Sequence, residues 1–340
     1  MKKINLLLLF VFITIANSYS QHYSVTKKIN VAGNEGWDYL AVDDVAQHLF
    51  VSHGNVVNVI DLKSDKTIAT IPDTKGVHGI AIANDLNKAF ISNGKDNSVT
   101  IVNLNTFELI TKISIEGQKP DAILYDEFSH YVLTYNAKSA DATVIDAKTN
   151  TVVKTIPLGG KPEFSVTNTK GLIYVNIEDK NEIKTINTKT LEVVQTWSIA
   201  AGDEPSGLAM DLDNNRLFSV CGNKLMIILD ATNGKIIKKL PIGDGCDGVT
   251  FDAKKKLIFS SNGAGTITAV KEESPNKFKV FETIKTQKGA RTLTINKTSG
   301  QLYLPTASFG IKPEATTENP KPRAGLEPNS FVVLVVGSKN

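Results

Sequence analysis

The chain is poor in cysteine, tryptophan and methionine, with two, two and three of them in 340 residues. Two cysteines, Cys221 and Cys246, are too few for a disulfide framework; they could form one bridge or stay as two thiols. No CxxCH run is present to attach a haem, and Trp37 and Trp197 are too few for a repeated tryptophan docking motif of the kind that frames a quinone. A nucleotide-binding glycine motif is missing as well. Long apolar runs are absent after residue 20, which excludes a later membrane-spanning helix. Charge of one sign is also lacking. Without Lys2 and Lys3 the chain holds 36 basic and 35 acidic side chains, so its surface offers no general field for nucleic acid or anionic lipid.

Residues 1–20 are present for a different reason. Two lysines, an apolar run from Leu6 to Ile15 and the small residues Ser18 and Ser20 read as a secretory signal peptide cut after Ser20. The apolar core is too short for a stable span, and no cysteine follows it to carry a lipid. A soluble secreted or periplasmic protein is expected, with residues 21–340 as one domain.

Along those residues a unit of about 42 repeats. Its first β-rich run ends on an acidic or amide residue, at Asp43, Asn84, Asp126, Asn168, Asp211, Asp252 and Asn296, with intervals of 41 to 44. Three more short β runs follow in each unit, with turn residues between them. The third run ends on the same residue types, at Asp61, Asn103, Asp146, Asn187 and Asp230. Asp and Asn suit such turns because their side chains bond nearby backbone amides. Seven units of four short strands predict an all-β protein: a seven-bladed β-propeller of four-stranded antiparallel blades. The last unit lacks its fourth strand, and residues 24–31, SVTKKINV, are expected to supply it and close the ring.

The strings FVSHGNVVNVIDLKSDKTIATI and FISNGKDNSVTIVNLNTFELITKI resemble YVTN-type repeats, and the chain from residue 21 resembles the YncE-like family of secreted bacterial propellers. That resemblance implies the fold and says little of the ligand. A WD repeat would end its third strand on Trp-Asp, whereas Trp37 and Asp38 open a first strand.

In a propeller the starts of the first strands and the ends of the second strands gather on one face around the axis, where a ligand is expected. The residues five before each anchor are Asp38, Gly79, Asp121, Glu163, Ser206, Asp247 and Arg291. Four carboxylates and one arginine suit a hydrated cation, a polyol or an amine; their plainer role is to satisfy free amides at strand starts. Trp37 and His78 precede two of them, and the second strands are expected to end at His53, Asn93, Tyr135, Ile177, Cys221, Asn262 and Thr306. The carboxylates could take Ca2+, and His53, His78 and Asp38 together could take Zn2+. His53 and His78 are 25 apart, as are Cys221 and Cys246, so each pair is expected to meet across a blade junction.

Residues 307–329, with four prolines, form the one long insertion and are expected to lie over that face, where Arg323 could join Arg291 on an anionic group. No catalytic set stands out. The sequence therefore favours a binding module for a small molecule, glycan or envelope protein over a metal-assisted lactone hydrolase or lyase. Nucleic acid is disfavoured by the charge balance.

Overall fold

The computed structural model describes residues 22–314, 316, 322 and 324–338. The expected signal peptide at residues 1–20 lies outside them, as does Arg323. Among the described residues no helix is long and apolar enough to cross a membrane, and the helical pieces are two short 3-10 turns, Asn84–Leu86 and Glu178–Lys180.

The described strands form seven four-stranded antiparallel sheets. The innermost strands of blades 1 to 7 are Leu40–Asp43, Val77–Ala83, Pro120–Asp126, Pro162–Thr167, Pro205–Asp211, Cys246–Asp252 and Thr294–Ile295. Each touches the next around the axis, and the seventh returns to the first. In blades 1 to 6 four consecutive strands pair in chain order. Blade 7 instead recruits the amino-terminal strand Tyr23–Asn30, which pairs antiparallel with Val332–Ser338. The expected closure is therefore present.

The anchors end strands because their side chains turn the chain. Asp43 accepts hydrogen bonds from the amides of Val45 and Ala46, and Asn296 from those of Thr298 and Ser299. The third strands stop in the same way: Asp61 accepts from Lys63 and Ser64, and Asp146 from Lys148 and Thr149. These are Asx turns, in which a short side chain replaces backbone partners that the strand no longer supplies.

Second strands such as Leu257–Asn262 are buried along their whole length, whereas fourth strands such as Lys66–Ile71 are mostly exposed. The reason is stacking. Seven apolar clusters join residues of neighbouring blades, as where Phe50, Val57 and Val59 of blade 1 meet Ile80, Ala89 and Ile91 of blade 2, and the one between blades 3 and 4 also takes in Tyr39 of blade 1. The core is thus divided among the blade junctions, and the axis is left for other uses.

One expected boundary shifts. The second strand of blade 3 runs Tyr131–Asn136, so Asn136, not Tyr135, ends it. Tyr135 is fully buried in a blade junction.

Candidate functional site

Asp38 stands just before the first innermost strand and is held by its backbone. Its amide donates to Ser52 Oγ at 2.8 Å, and its carbonyl accepts from Thr292 Oγ1 of blade 7 at 2.6 Å. Asp121 is fixed in a similar way, its carbonyl accepting from Ser92 Oγ of blade 2 at 2.5 Å. Hydroxyls that link one blade to the next thus aim both carboxylates at the axis. His78 lies between them: its Nδ1 is 2.6 Å from Asp38 Oδ2 and 3.3 Å from Asp121 Oδ1. The imidazole rests over Gly94, where a Cβ would come within 2.8 Å of the ring.

The other half of the ring is paired with cations. Arg291 Nε donates to Asp247 Oδ2 at 2.8 Å, and its terminal nitrogen reaches Asp38 Oδ1 at 3.4 Å and the Trp37 carbonyl at 3.3 Å. Lys161 meets Glu163 at 2.8 Å and also pairs with Glu178. Lys119 stands 3.7 Å from Asp121 Oδ2. The structure therefore brings Asp38, His78, Asp121, Glu163, Asp247 and Arg291 together as a polar cup. Solvent still reaches it, since the side chains of His78 and Arg291 are 26% and 39% exposed.

Three of the cup's carboxyls are held above their ordinary values. Burial pushes the Glu163 carboxyl up to about 8, with the charge of Asp121 adding and Lys161 opposing. Asp247 rises to about 6, first through burial and then through Asp38, against the pull of Arg291. Asp121 is raised by burial and Asp38 although His78 opposes. For His78, burial favours the neutral ring, but the hydrogen bond to Asp38 and the charges of Asp121 and Asp38 outweigh it and hold the imidazole above its ordinary value. Perturbations of this kind concentrate where a protein binds or reacts.

Below the cup lies a residue that the sequence reading passed over. Tyr39 reaches across the axis from blade 1 to Phe164 of blade 4, with ring centroids 5.2 Å apart. Burial, then the charges of Asp247, Asp38, Glu163 and Asp121, hold its hydroxyl well above the ordinary tyrosine value. On its other side a channel of 440 Å³, lined by residues such as Ile82, Leu124, Val166 and Met210, opens toward the opposite face. Tyr39 separates a polar compartment from an apolar one. Its sequence signal was an aromatic ring at a position that holds Gly207 and Gly248 in blades 5 and 6.

Two expectations are corrected. His53 is not beside Asp38: among the described residues, the group whose possible ligand atoms lie within 4.8 Å of one another is Asp38, His78 and Asp121. His53 is 2% exposed, stacks on Phe331 at 4.2 Å and bonds through Nδ1 to Asn58 Oδ1 at 3.0 Å. It holds the place of Asn93 and Asn136, which reach Ser98 and Asp141 five residues on. Gly33, at φ +125°, gives the ring room, because a Cβ there would lie 2.4 Å from Cε1. Burial accordingly lowers the His53 pKa.

Trp37 is likewise a core residue, 8% exposed and stacked on Phe331 at 5.5 Å; only its carbonyl serves the cup. Cys221 and Cys246 do meet across a blade junction but are free thiols, Cys246 Sγ donating to the Cys221 carbonyl at 3.0 Å.

The described parts of the 307–329 insertion form two legs that pair at Phe309 and Leu326. Phe309 packs on Trp37 at 6.1 Å, and the Asn329 amide donates to Asn34 Oδ1 at 2.6 Å. This places the legs at the junction of blades 7 and 1, beside the blades that carry Arg291 and Asp38.

No family model matches the chain. An uncharacterised protein YncE of Salmonella typhi is 26% identical over 163 residues, covering 46% of this chain and 46% of that protein. The match thus spans about half the length of the curated relative. Among solved structures, Kuenenia stuttgartiensis hydrazine synthase superposes with a TM-score of 0.68 at 15% identity, covering 81% of this chain and 94% of that one. The WD40 repeats of RRP9 superpose with a TM-score of 0.75 at 9% identity, covering 92% and 97%. The chain is therefore similar to YncE in sequence and to propellers of different kinds in fold, and the likeness to the solved structures is one of fold alone.

Proposed function

We propose that the protein is a secreted or periplasmic binding propeller that holds a positively charged ligand on its axis, in the cup formed by Asp38, Asp121, Glu163 and Asp247. One observation carries this reading: carboxyls from four different blades gather in one cup around His78, Lys161 and Arg291, and three of them are held above their ordinary values. Clustered carboxyls in a low-dielectric cup bind protons for want of a better cation. A cationic ligand would take the place of those protons, while Arg291 and Lys161 orient the carboxylates that remain. The propeller supplies a rigid, many-sided frame for such a cup, and the export signal read in residues 1–20 supports a role outside the cytoplasm.

Thermal unfolding with and without ligand tests the reading, because a molecule that binds only the native state raises the midpoint. Diamines, amino sugars and divalent cations are expected to raise it, and their neutral isosteres are not. Glu163→Gln and Asp247→Asn should each reduce the effect without loss of the folded state. A midpoint that responds to none of these cations, or equally to charged and neutral partners, would overturn the proposal.

A further inference from the structure

We infer that Asp38, His78 and Asp121 form a binding seat for one divalent transition cation of the zinc class. The inference rests on the reading of the cup as a cation site and names the cation.

The three possible ligand atoms come from three successive blades and lie within 4.8 Å of one another. A tetrahedral zinc with bonds of about 2.0–2.1 Å needs ligand atoms about 3.3 Å apart. The 3.3 Å from His78 Nδ1 to Asp121 Oδ1 already matches that edge, and the 2.6 Å to Asp38 Oδ2 has only to open by a small rotation.

The outer oxygens are held as well. Arg291 reaches Asp38 Oδ1 at 3.4 Å, and Lys119 lies 3.7 Å from Asp121 Oδ2. Each carboxylate therefore turns one oxygen inward to the imidazole and one outward toward a cation, Arg291 for Asp38 and the half-exposed Lys119 for Asp121, and outer partners of this kind orient metal ligands.

An independent observation points to a missing occupant. Tyr39 is 7% exposed, its hydroxyl makes no hydrogen bond among the described residues, and it faces the same carboxylates from below. That hydroxyl is left to the solvent that reaches it, and a hydrated cation in the seat would give it an ordered partner.

The chemistry of the ligands selects the ion. One imidazole nitrogen with two carboxylates suits zinc, cobalt or manganese better than calcium, which prefers oxygen alone. Three protein ligands leave the fourth position of a tetrahedral ion to the solvent that reaches His78, whose side chain is 26% exposed. As the ion enters, the proton that His78 Nδ1 shares with Asp38 passes to solvent and the nitrogen lone pair takes up the metal.

The test is titration of the EDTA-stripped, untagged chain from residue 21 with zinc, followed by calorimetry, and with cobalt, followed by its visible d–d bands. One ion per chain is expected. His78→Gln and Asp121→Asn should each weaken zinc by more than about 100-fold, beyond the loss typical of an outer-sphere partner, and His78→Gln should abolish the cobalt spectrum. His53→Asn should leave both unchanged. Two substitutions on different blades guard against one that fails to fold. Absence of stoichiometric binding at micromolar zinc, or affinity that survives both substitutions, overturns the seat. Retained stabilisation by diamines in that event would leave the cup reading standing, and loss of both would remove it too.

Discussion

Two histidines expected on the same face end in opposite environments, and single contacts decide which faces the axis. His78 lies over Gly94 with two carboxylates at its Nδ1, whereas His53 is drawn inward by Phe331 and Asn58. The cysteines show a similar dependence on their surroundings. Burial pushes both thiols up to about 12, so the reactive thiolate is scarce at neutral pH. The folded protein is expected to resist a maleimide at pH 7.5 and to take up two labels per chain in denaturant. Rapid labelling without denaturant would contradict the burial seen here.

A third residue links protonation to stability. Glu272 is 4% exposed in the junction of blades 5 and 6; burial raises its carboxyl to about 7, with Asp211 adding and Asn214 and Lys256 opposing. Between pH 4.5 and 7 the native state keeps a proton that the unfolded chain has released. The stability from this group is therefore full below about pH 4.5 and is lost as pH rises to about 7. Glu272→Gln should flatten that part of the stability profile, measured as urea midpoints at pH 5 and 7.5; an unchanged slope would refute the assignment.

At the scale of the strand, the hairpins are stapled by side chains. Asn136 Nδ2 donates to Asp141 Oδ1 at 2.6 Å and Thr143 Oγ1 at 2.9 Å, and Asn262 makes the matching bonds to Thr266 and Thr268. Asn136→Ala leaves both partners short of a donor and should cost about 2–3 kcal/mol in denaturant unfolding. His53→Asn places the usual residue in blade 1 and should cost less, although the ring stack on Phe331 is lost.

These strands were legible because their cause is local. An Asx turn joins an anchor to amides two and three residues on, so Asp43, Asp61 and Asp146 mark strand ends in the sequence itself. The ring of Asp38, Asp121, Glu163, Asp247 and Arg291 was legible by counting back from those anchors. What counting misses is any contact that crosses the axis. Tyr39 meets Phe164, 125 residues on, and Arg291 meets Asp38 from the far end of the chain in a cup that does not exist until seven blades close. The exclusion of His53 and Trp37 depends on Phe331, the residue just before the last strand. No spacing rule within the repeat contains that residue.

For the whole molecule, closure is the property on which the cup depends. Asp38 belongs to blade 1, and its carbonyl and carboxylate are held by Thr292 and Arg291 of blade 7, so the seam of the ring runs through the site. That seam is completed by Tyr23–Asn30 pairing with Val332–Ser338, and the strand buries Tyr23 and Ile29, with Val31 just beyond it. Three such side chains contribute about 5–9 kcal/mol at roughly 1.5–3 kcal/mol each, a large share of the 5–15 kcal/mol typical of a native protein. Deleting residues 22–31 should therefore lower the melting midpoint by more than about 10 °C or prevent folding. The same ten residues attached through a flexible linker after residue 338 should restore it, because the edge of Val332–Ser338 is what the strand satisfies, whichever end of the chain delivers it. Calorimetry on the two forms decides: recovery in the relocated form makes the strand a closure element, while equal loss in both would assign its effect to the chain before Asp38 and not to the ring.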